Sequence, residues 1–248
     1  MKTKKVSKID DILKSEFSER SILHSMKSII RTRSSAHLVL DVGAGEGGSS
    51  LPYARAGFLT ASLDIAKEDL AKGLNKGKIN RGMAIRGDGK MLPFRNEVFD
   101  IVSSRAFLHE FKNAPQYLEE MKRVVKAKGE TICIDFCAPT ETVKQFLNTC
   151  ILTDEHVLTK EELSSLLQKR GLNIKKEAWY TLKDKENAGR LKRCLSRRKL
   201  KTIQELTYIL KMKKERNLIR FSIPVIFISA LKNEKCTATE HTSPILDL

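Results

Sequence analysis

Leu38-Val39-Leu40-Asp41-Val42-Gly43-Ala44-Gly45-Glu46-Gly47-Gly48 decides how this chain is read. An apolar run broken only by Asp41 passes directly into a glycine cluster, and a helical pattern follows. A short apolar run bounded by glycines is the mark of a strand buried on both faces of a parallel sheet. The glycines allow backbone to approach a ligand at a helix N-terminus, where unpaired N–H groups and the helix dipole favour negative charge. Read literally, the loop satisfies GxGxG through Gly47 and the dinucleotide pattern GxGxxG through Gly48. Either match alone is common, so the surroundings must choose.

Working outward, further strands are expected at 58–63, 83–86, 99–103 and 131–136, with helices over 67–75 and 115–126 between them. Alternation at this spacing means βαβ units with right-handed crossovers and a mostly parallel α/β sheet. Downstream, Thr159 and Glu162 form a capping-box pair that opens a helix running to Arg170 and stopping at Gly171. A strand over 172–182 comes next. A last strand lies within 221–231; because Pro224 lacks an N–H, it is expected to begin near Val225. Upstream, apolar residues from Ile12 to Ile30 recur at helical spacing. The expected organisation is therefore a helical cap at 1–33, a core at 34–182, a basic helical insertion at 183–220, a completing strand at 221–232, and a loose tail at 233–248.

Three acids fall at the ends of the first three strands. Asp41 stands two residues before Gly43; there a carboxylate would repel a bound pyrophosphate but suits a cationic amino group or sulfonium. Its plainer role is to bond the loop's own groups. Asp64 ends the second strand, where an acid can accept both hydroxyls of a ribose, or simply cap the helix that starts near Ala66. Beside it, Ile65 can cover one face of an adenine. Asp88 follows the third strand, in register with the other two, and can accept from an adenine amino group; by itself, Asp88-Gly89 reads as a turn.

Taken together, Leu38 to Ser49, Leu63 to Ile65, Asp88 to Val102 and Leu118 to Ile134 resemble the successive motifs of class I S-adenosyl-L-methionine-dependent methyltransferases, in particular the group that includes quinone-biosynthesis enzymes. The resemblance covers roughly residues 36 to 182. It implies a Rossmann-like seven-stranded sheet of order 3-2-1-4-5-7-6, last strand antiparallel, with helices on both faces. It also implies S-adenosyl-L-methionine as cofactor, with Asp41, Gly43, Ala44, Gly45 and Gly47 at the methionine end. Asp64 and Ile65 then serve the ribose and adenine, Asp88 and Gly89 the adenine, and Ser103, Ser104 and Arg105 the methionine amino group. The chain departs from the family pattern at Glu46, at Lys126-Ala127-Lys128-Gly129, and in its long basic insertion.

Charge is the one unusual feature of the composition: 46 Lys and Arg against 30 Asp and Glu, a net of +16. From Ser34 to Leu182 the tally is 21 against 19, whereas residues 183–220 carry 14 against 4 and residues 1–33 carry 9 against 4. Such segregation points to an anionic partner met by those two segments. Phosphates of RNA and anionic lipid both fit, the latter with a hydrophobic acceptor; solvated charge on a helix covering the sheet edge fits as well. Leu200, Ile203, Leu206 and Leu210 give the insertion an apolar stripe. Deleting 185–218 is expected to spare cofactor affinity and lose acceptor turnover. No apolar run is long enough to cross a membrane, and no h-region follows the basic N-terminus. Five cysteines without a CxxC pair suggest reduced thiols, as in a cytosol, and argue against a disulfide framework or a zinc site.

Methyl transfer from a sulfonium asks chiefly for positioning, and a base only where the acceptor must lose a proton. His109, just beyond the fourth strand, and Asp135, at the end of the fifth, are the candidate catalytic residues. Asn/Asp-Pro-Pro-Tyr/Phe, the usual amino-methylating motif, is not present, and only Cys137 stands where a cytosine-directed nucleophile would be sought. The leading expectation is a methyltransferase for a small anionic or hydrophobic acceptor. RNA methylation, a non-catalytic cofactor-binding role, and nicotinamide-dependent redox chemistry are the alternatives, in that order.

Overall fold

The computed structural model describes residues 38–110, 114–151, 156–197 and 203–233. The expected N-terminal helices and polar tail lie outside these residues. From Leu38 the chain alternates: β1 (Leu38–Val42), α1 (Ser50–Arg55), β2 (Leu59–Asp64), α2 (Lys67–Asn75), β3 (Ala84–Arg86) and β4 (Phe99–Arg105). A 3₁₀ turn (Leu108–Glu110), α3 (Ala114–Val124) and β5 (Val125–Ala138) follow, then α4 (Glu141–Phe146) and a π-helical turn (Leu147–Ile151). After β6 (Leu158–Thr159) come α5 (Lys160–Gln168), β7 (Leu172–Asn187), α6 (Ala188–Arg197), α7 (Ile203–Ile209), β8 (Lys213–Glu215) and β9 (Leu218–Lys232).

The sheet runs β3-β2-β1-β4-β5-β9-β7, with β6 added to β5 and β8 to β9. Strands β1 to β5 are parallel; β9 enters antiparallel between β5 and β7. This is the Rossmann-like order expected from the motifs, with two short strands in addition. Alternate residues explain why both faces need helices. Leu40, Val102, Cys133 and Ile226 face one apolar cluster, with Leu118, Met121, Leu163 and Leu167 from α3 and α5. Val39, Ile101, Ile132 and Phe227 face the other, against Tyr53 and Phe58. The capping box at Thr159 and Glu162 forms, and Gly171 sits at φ 69° past the end of α5.

The second half differs from expectation in three ways. First, the last strand begins at Leu218 rather than near Val225, and β7 extends to Asn187, so the two form a ribbon reaching beyond the sheet. Pro224 is accommodated because β5 pairs with β9 only from Val225 onward, leaving one neighbouring strand at the proline, Thr181 of β7. Second, the basic insertion is not a detachable cover. Leu191, Leu206 and Leu210 are fully buried in a cluster with Phe136, Phe146, Phe221 and Ile223. Third, Cys150 and Cys194 are joined in a disulfide that ties the π-helical turn to α6, against the expectation of reduced thiols. Their spacing of 44 residues carries no motif, and only folding of α6 onto the cluster around Phe146 and Phe221 brings them together.

Candidate active site

The glycine loop turns at the carboxyl end of β1, and its shape is set by what it bonds. Gly43 and Ala44 donate their amides to the carbonyl of Leu63 at 2.9 and 3.0 Å, anchoring the loop to the end of β2. Gly43 has φ 71°, and a Cβ on it would come within 2.4 Å of the Phe107 ring. Gly45 has φ 52° and nothing within 4 Å of where a Cβ would stand, so it faces open space. Gly47 bonds back to Ala44 at 2.8 Å and closes the turn into α1. Glu46 turns toward α2, where Lys76 holds it at 2.5 Å, so its departure from the family pattern leaves the open side of the loop clear.

The three acids stand at the carboxyl ends of three adjacent parallel strands, in three different states. Asp41 is buried; one carboxylate oxygen accepts from the Ser50 hydroxyl at 2.6 Å, and Ser50 in turn accepts from Ser62 at 2.8 Å. The other oxygen, Oδ1, accepts no hydrogen bond from the described residues. Burial pushes the Asp41 carboxyl up to about 6, opposed by the Ser50 hydroxyl and by the charge of Arg105. Asp64 shares its carboxylate between the Gly45 and Ala66 amides, 2.8 Å each, so it both shapes the loop and caps the entry to α2. Asp88 accepts from the Lys90 amide at 2.9 Å, which is an Asx turn, and keeps its carboxylate partly exposed.

The residues around them are placed by packing. Ile65 is 62% exposed at the end of β2, and Met91, which the motif reading did not single out, is 58% exposed after β3. Ile65 follows Asp64 and Met91 lies three residues beyond Asp88, so each acid has an exposed apolar side chain close to it in the chain. The loop carrying Asp88, Gly89 and Met91 is pinned by Arg123 and Glu120 of α3. Arg123 donates to the carbonyls of Phe94 at 2.7 Å and Leu92 at 2.9 Å, and Glu120 accepts from the Leu92 amide at 2.7 Å. A Cβ at Gly89 would crowd Tyr117 and Phe107, whose rings meet edge to face at 4.8 Å.

Not every expected residue reaches the rim by its side chain. Ser103 and Ser104 are buried within β4; the Ser103 hydroxyl accepts from Tyr53 at 2.9 Å. Arg105 does reach it: its guanidinium lies so close over Gly48 that a Cβ there would clash with a terminal nitrogen. Ala106 follows at φ 50°, an unusual conformation that redirects the chain across the end of the sheet.

That redirection brings His109 and Asp135 together. Asp135 Oδ2 accepts from the amides of Leu108 at 2.7 Å and Phe107 at 3.2 Å, and its Oδ1 meets His109 Nδ1 at 2.5 Å. The His109 ring stands edge-on to Phe136 at 4.7 Å, and both members of the pair are 4% exposed. A carboxylate held by three backbone amides, those of Phe107, Leu108 and Phe136, fixes the orientation of the imidazole ring. Cys137, the other nucleophile considered, is buried, and burial with the charge of Asp135 holds its thiol well above the usual range. It is not a thiolate at neutral pH.

The donor set fits the cofactor that the motifs imply. An unpaired buried Asp41 oxygen suits a cationic group, an open Gly45 suits close approach of a ligand, and the exposed Ile65 suits one face of an adenine. Comparison with known proteins agrees. Residues 40–133 match the family model described as "Methyltransferase domain". A demethylmenaquinone methyltransferase of Renibacterium salmoninarum is 40% identical over 105 residues, 41% of this chain and 42% of that protein. The chain thus spans less than half the length of the curated relatives it matches. The crystal structure of YcgJ from Bacillus subtilis superposes with a TM-score of 0.73 over 87% of this chain and all of that one, at 20% identity. Magnesium protoporphyrin IX methyltransferase of Synechocystis, solved with bound cofactor, gives 0.54 at 15% identity, over 88% of this chain and 81% of that one. Over residues 40–133 the chain is thus similar to methyltransferase domains, and its fold is shared with methyltransferases of known structure.

Proposed function

We propose that this protein transfers a methyl group from S-adenosyl-L-methionine to a small, hydrophobic acceptor. The observation that carries the reading is the rim of β1, β2 and β3, where Asp41, Asp64 and Asp88 flank a loop open at Gly45. The bound cofactor supplies a methyl group on a positively charged sulfur. The chain's own residues supply the rest. Asp41 and Arg105 present opposite charges toward an amino-acid end, and Asp64 orders the loop by holding the Gly45 amide. Ile65, exposed beside Asp64, covers one face of the adenine. Much of the catalysis expected from such a site is alignment of acceptor and methyl, which accounts for ~7–11 kcal/mol in well-oriented reactions.

His109 acts as the base. Asp135 orients its ring, and the imidazole takes the proton from an acceptor O–H or N–H whose loss makes the attacking atom more electron-rich. Phe136 and the apolar cluster it shares with Phe146 and Phe221 favour an aromatic or otherwise greasy acceptor. The names of the demethylmenaquinone methyltransferases that resemble this chain support a quinone-like ring. RNA as acceptor has less support, since Tyr208 and Trp179 are the only large aromatic side chains notably exposed among the described residues.

Calorimetry with S-adenosylhomocysteine and with NAD, followed by a tritiated-methyl transfer screen against RNA, lipid, protein and metabolite fractions, tests this. The expected result is binding of the first nucleoside alone, with label passing to the lipid or metabolite fraction. Binding of NAD instead would end the reading, and label in RNA would replace the acceptor.

A further inference from the structure

Between Gly43 and Gly48, Glu46 is the one residue whose side chain extends beyond a methyl group. A tether built from the loop's own side chains must therefore run through it. The need for a tether is conformational. Gly43, Gly45 and Gly47 stand at φ 71°, 52° and 82°, and glycine has more backbone freedom to lose than any other residue. Ordering such a loop only when a ligand arrives would subtract that entropy from the affinity, whereas holding it in place beforehand avoids the loss.

Helix α2 braces the loop from both of its ends. At the helix entry, the Asp64 carboxylate accepts from the Gly45 and Ala66 amides, so the loop and the start of α2 share one acid. At the helix exit, Lys76 donates to one Glu46 carboxylate oxygen at 2.5 Å, and Lys72 lies 3.8 Å from the other. Backbone packing leaves no room between the two segments. A Cβ on Gly73 of α2 would come within 2.9 Å of the Glu46 carbonyl oxygen, and one on Gly47 within 2.6 Å of the Ile79 side chain. Ile79 is buried and donates its amide to the Gly73 carbonyl at 3.3 Å, which keeps it wedged between Gly47 and Gly73. None of these contacts occupies the open side of the loop at Gly45. The Glu46 side chain is largely buried, while both lysines are about half exposed. An ion pair so placed adds little to global stability; its restraint falls on the loop.

We infer that Glu46 is a positioning residue for the cofactor: its pairing with Lys76, and secondarily with Lys72, holds the glycine loop in its binding conformation before the ligand arrives. The inference rests on the cofactor site proposed above.

The test is calorimetry of the full chain with S-adenosylhomocysteine, beside thermal unfolding without ligand. Glu46→Gln and Lys76→Met should each weaken binding about five-fold, the upper range for such a pair, and move the unliganded midpoint little. The double variant should lose no more than either single one, because the second change removes nothing still present. Lys76→Arg, which keeps the charge, should recover most of the affinity. Lys126→Gln is the matched control: it breaks a pair of similar exposure with Asp100 at the amino end of β4, the opposite edge of the sheet, and should leave affinity unchanged. A lowered midpoint with unchanged affinity would mark the pair as merely structural and overturns the inference. Additive losses in the double variant, no recovery by Lys76→Arg, or an equal loss in Lys126→Gln overturn it as well. If the unaltered protein does not bind S-adenosylhomocysteine, the cofactor reading falls and this inference with it; if it binds and the variants bind equally well, the inference alone falls.

Discussion

Asp41 is the residue whose physics is least comfortable and most informative. Its carboxyl is buried, bonded on one oxygen only, and pushed up to about 6. The unfolded chain ionises it near 3.8, so between those values stability falls as pH rises, and above about 6 the full cost of roughly 3 kcal/mol is present. Asp41→Asn should therefore raise the unfolding free energy at pH 7.5 by an amount up to that size, on the order of 2–3 kcal/mol, and give no gain below pH 4. Denaturant titrations at the two pH values measure it. A cationic ligand end favours the ionised form, so affinity for S-adenosyl-L-methionine should decline as pH drops through about 6, and Asp41→Asn should flatten that dependence. At the same scale, His109→Gln should lower turnover by about 10²–10⁴-fold with cofactor affinity unchanged. Loss of cofactor affinity instead would make His109 a packing residue.

Among elements, the glycine loop and the insertion make opposite kinds of prediction. A side chain at Gly45 meets no atom yet must adopt φ 52° and project into the open space of the site. Gly45→Val should nearly abolish cofactor binding, and Asp64→Ala should weaken it by freeing the Gly45 and Ala66 amides together. Unchanged calorimetric affinity in both variants would contradict the placement of the site. The insertion behaves as core. Leu206→Ala removes a fully buried side chain and should cost about 2–5 kcal/mol of stability, read as a lower denaturation midpoint. For the same reason, deleting 185–218 should destabilise the whole protein rather than spare cofactor binding, because the deletion exposes Phe136, Phe146 and Phe221. The sequence showed the apolar stripe of this segment but not its depth of burial. Helical spacing reports which residues share a face and is silent on what that face meets.

For the molecule as a whole, the disulfide between Cys150 and Cys194 ties the π-helical turn to α6 across 44 residues. Closing a loop of that length stabilises by about 4 kcal/mol in the chain-entropy account. Thermal unfolding with and without reductant should therefore separate by several degrees, and Cys194→Ser should remove the difference. A transition that reductant leaves unmoved would mean the thiols are free in solution. What the sequence by itself determined is local or periodic. The strand and glycine loop at 38–48, the alternation of βαβ units and the capping box at Thr159 are written in consecutive residues, because hydrophobic period, turn chemistry and caps act over one or two turns of chain. The three acids were legible for the same reason, each being tied to the end of its own strand. Folding alone decided that His109 and Asp135, 26 residues apart, lie within a hydrogen bond. It alone carried the last two strands past the sheet and buried the basic insertion. Those outcomes depend on register between distant strands, which no local pattern encodes, since each is fixed by which apolar surfaces find one another in three dimensions.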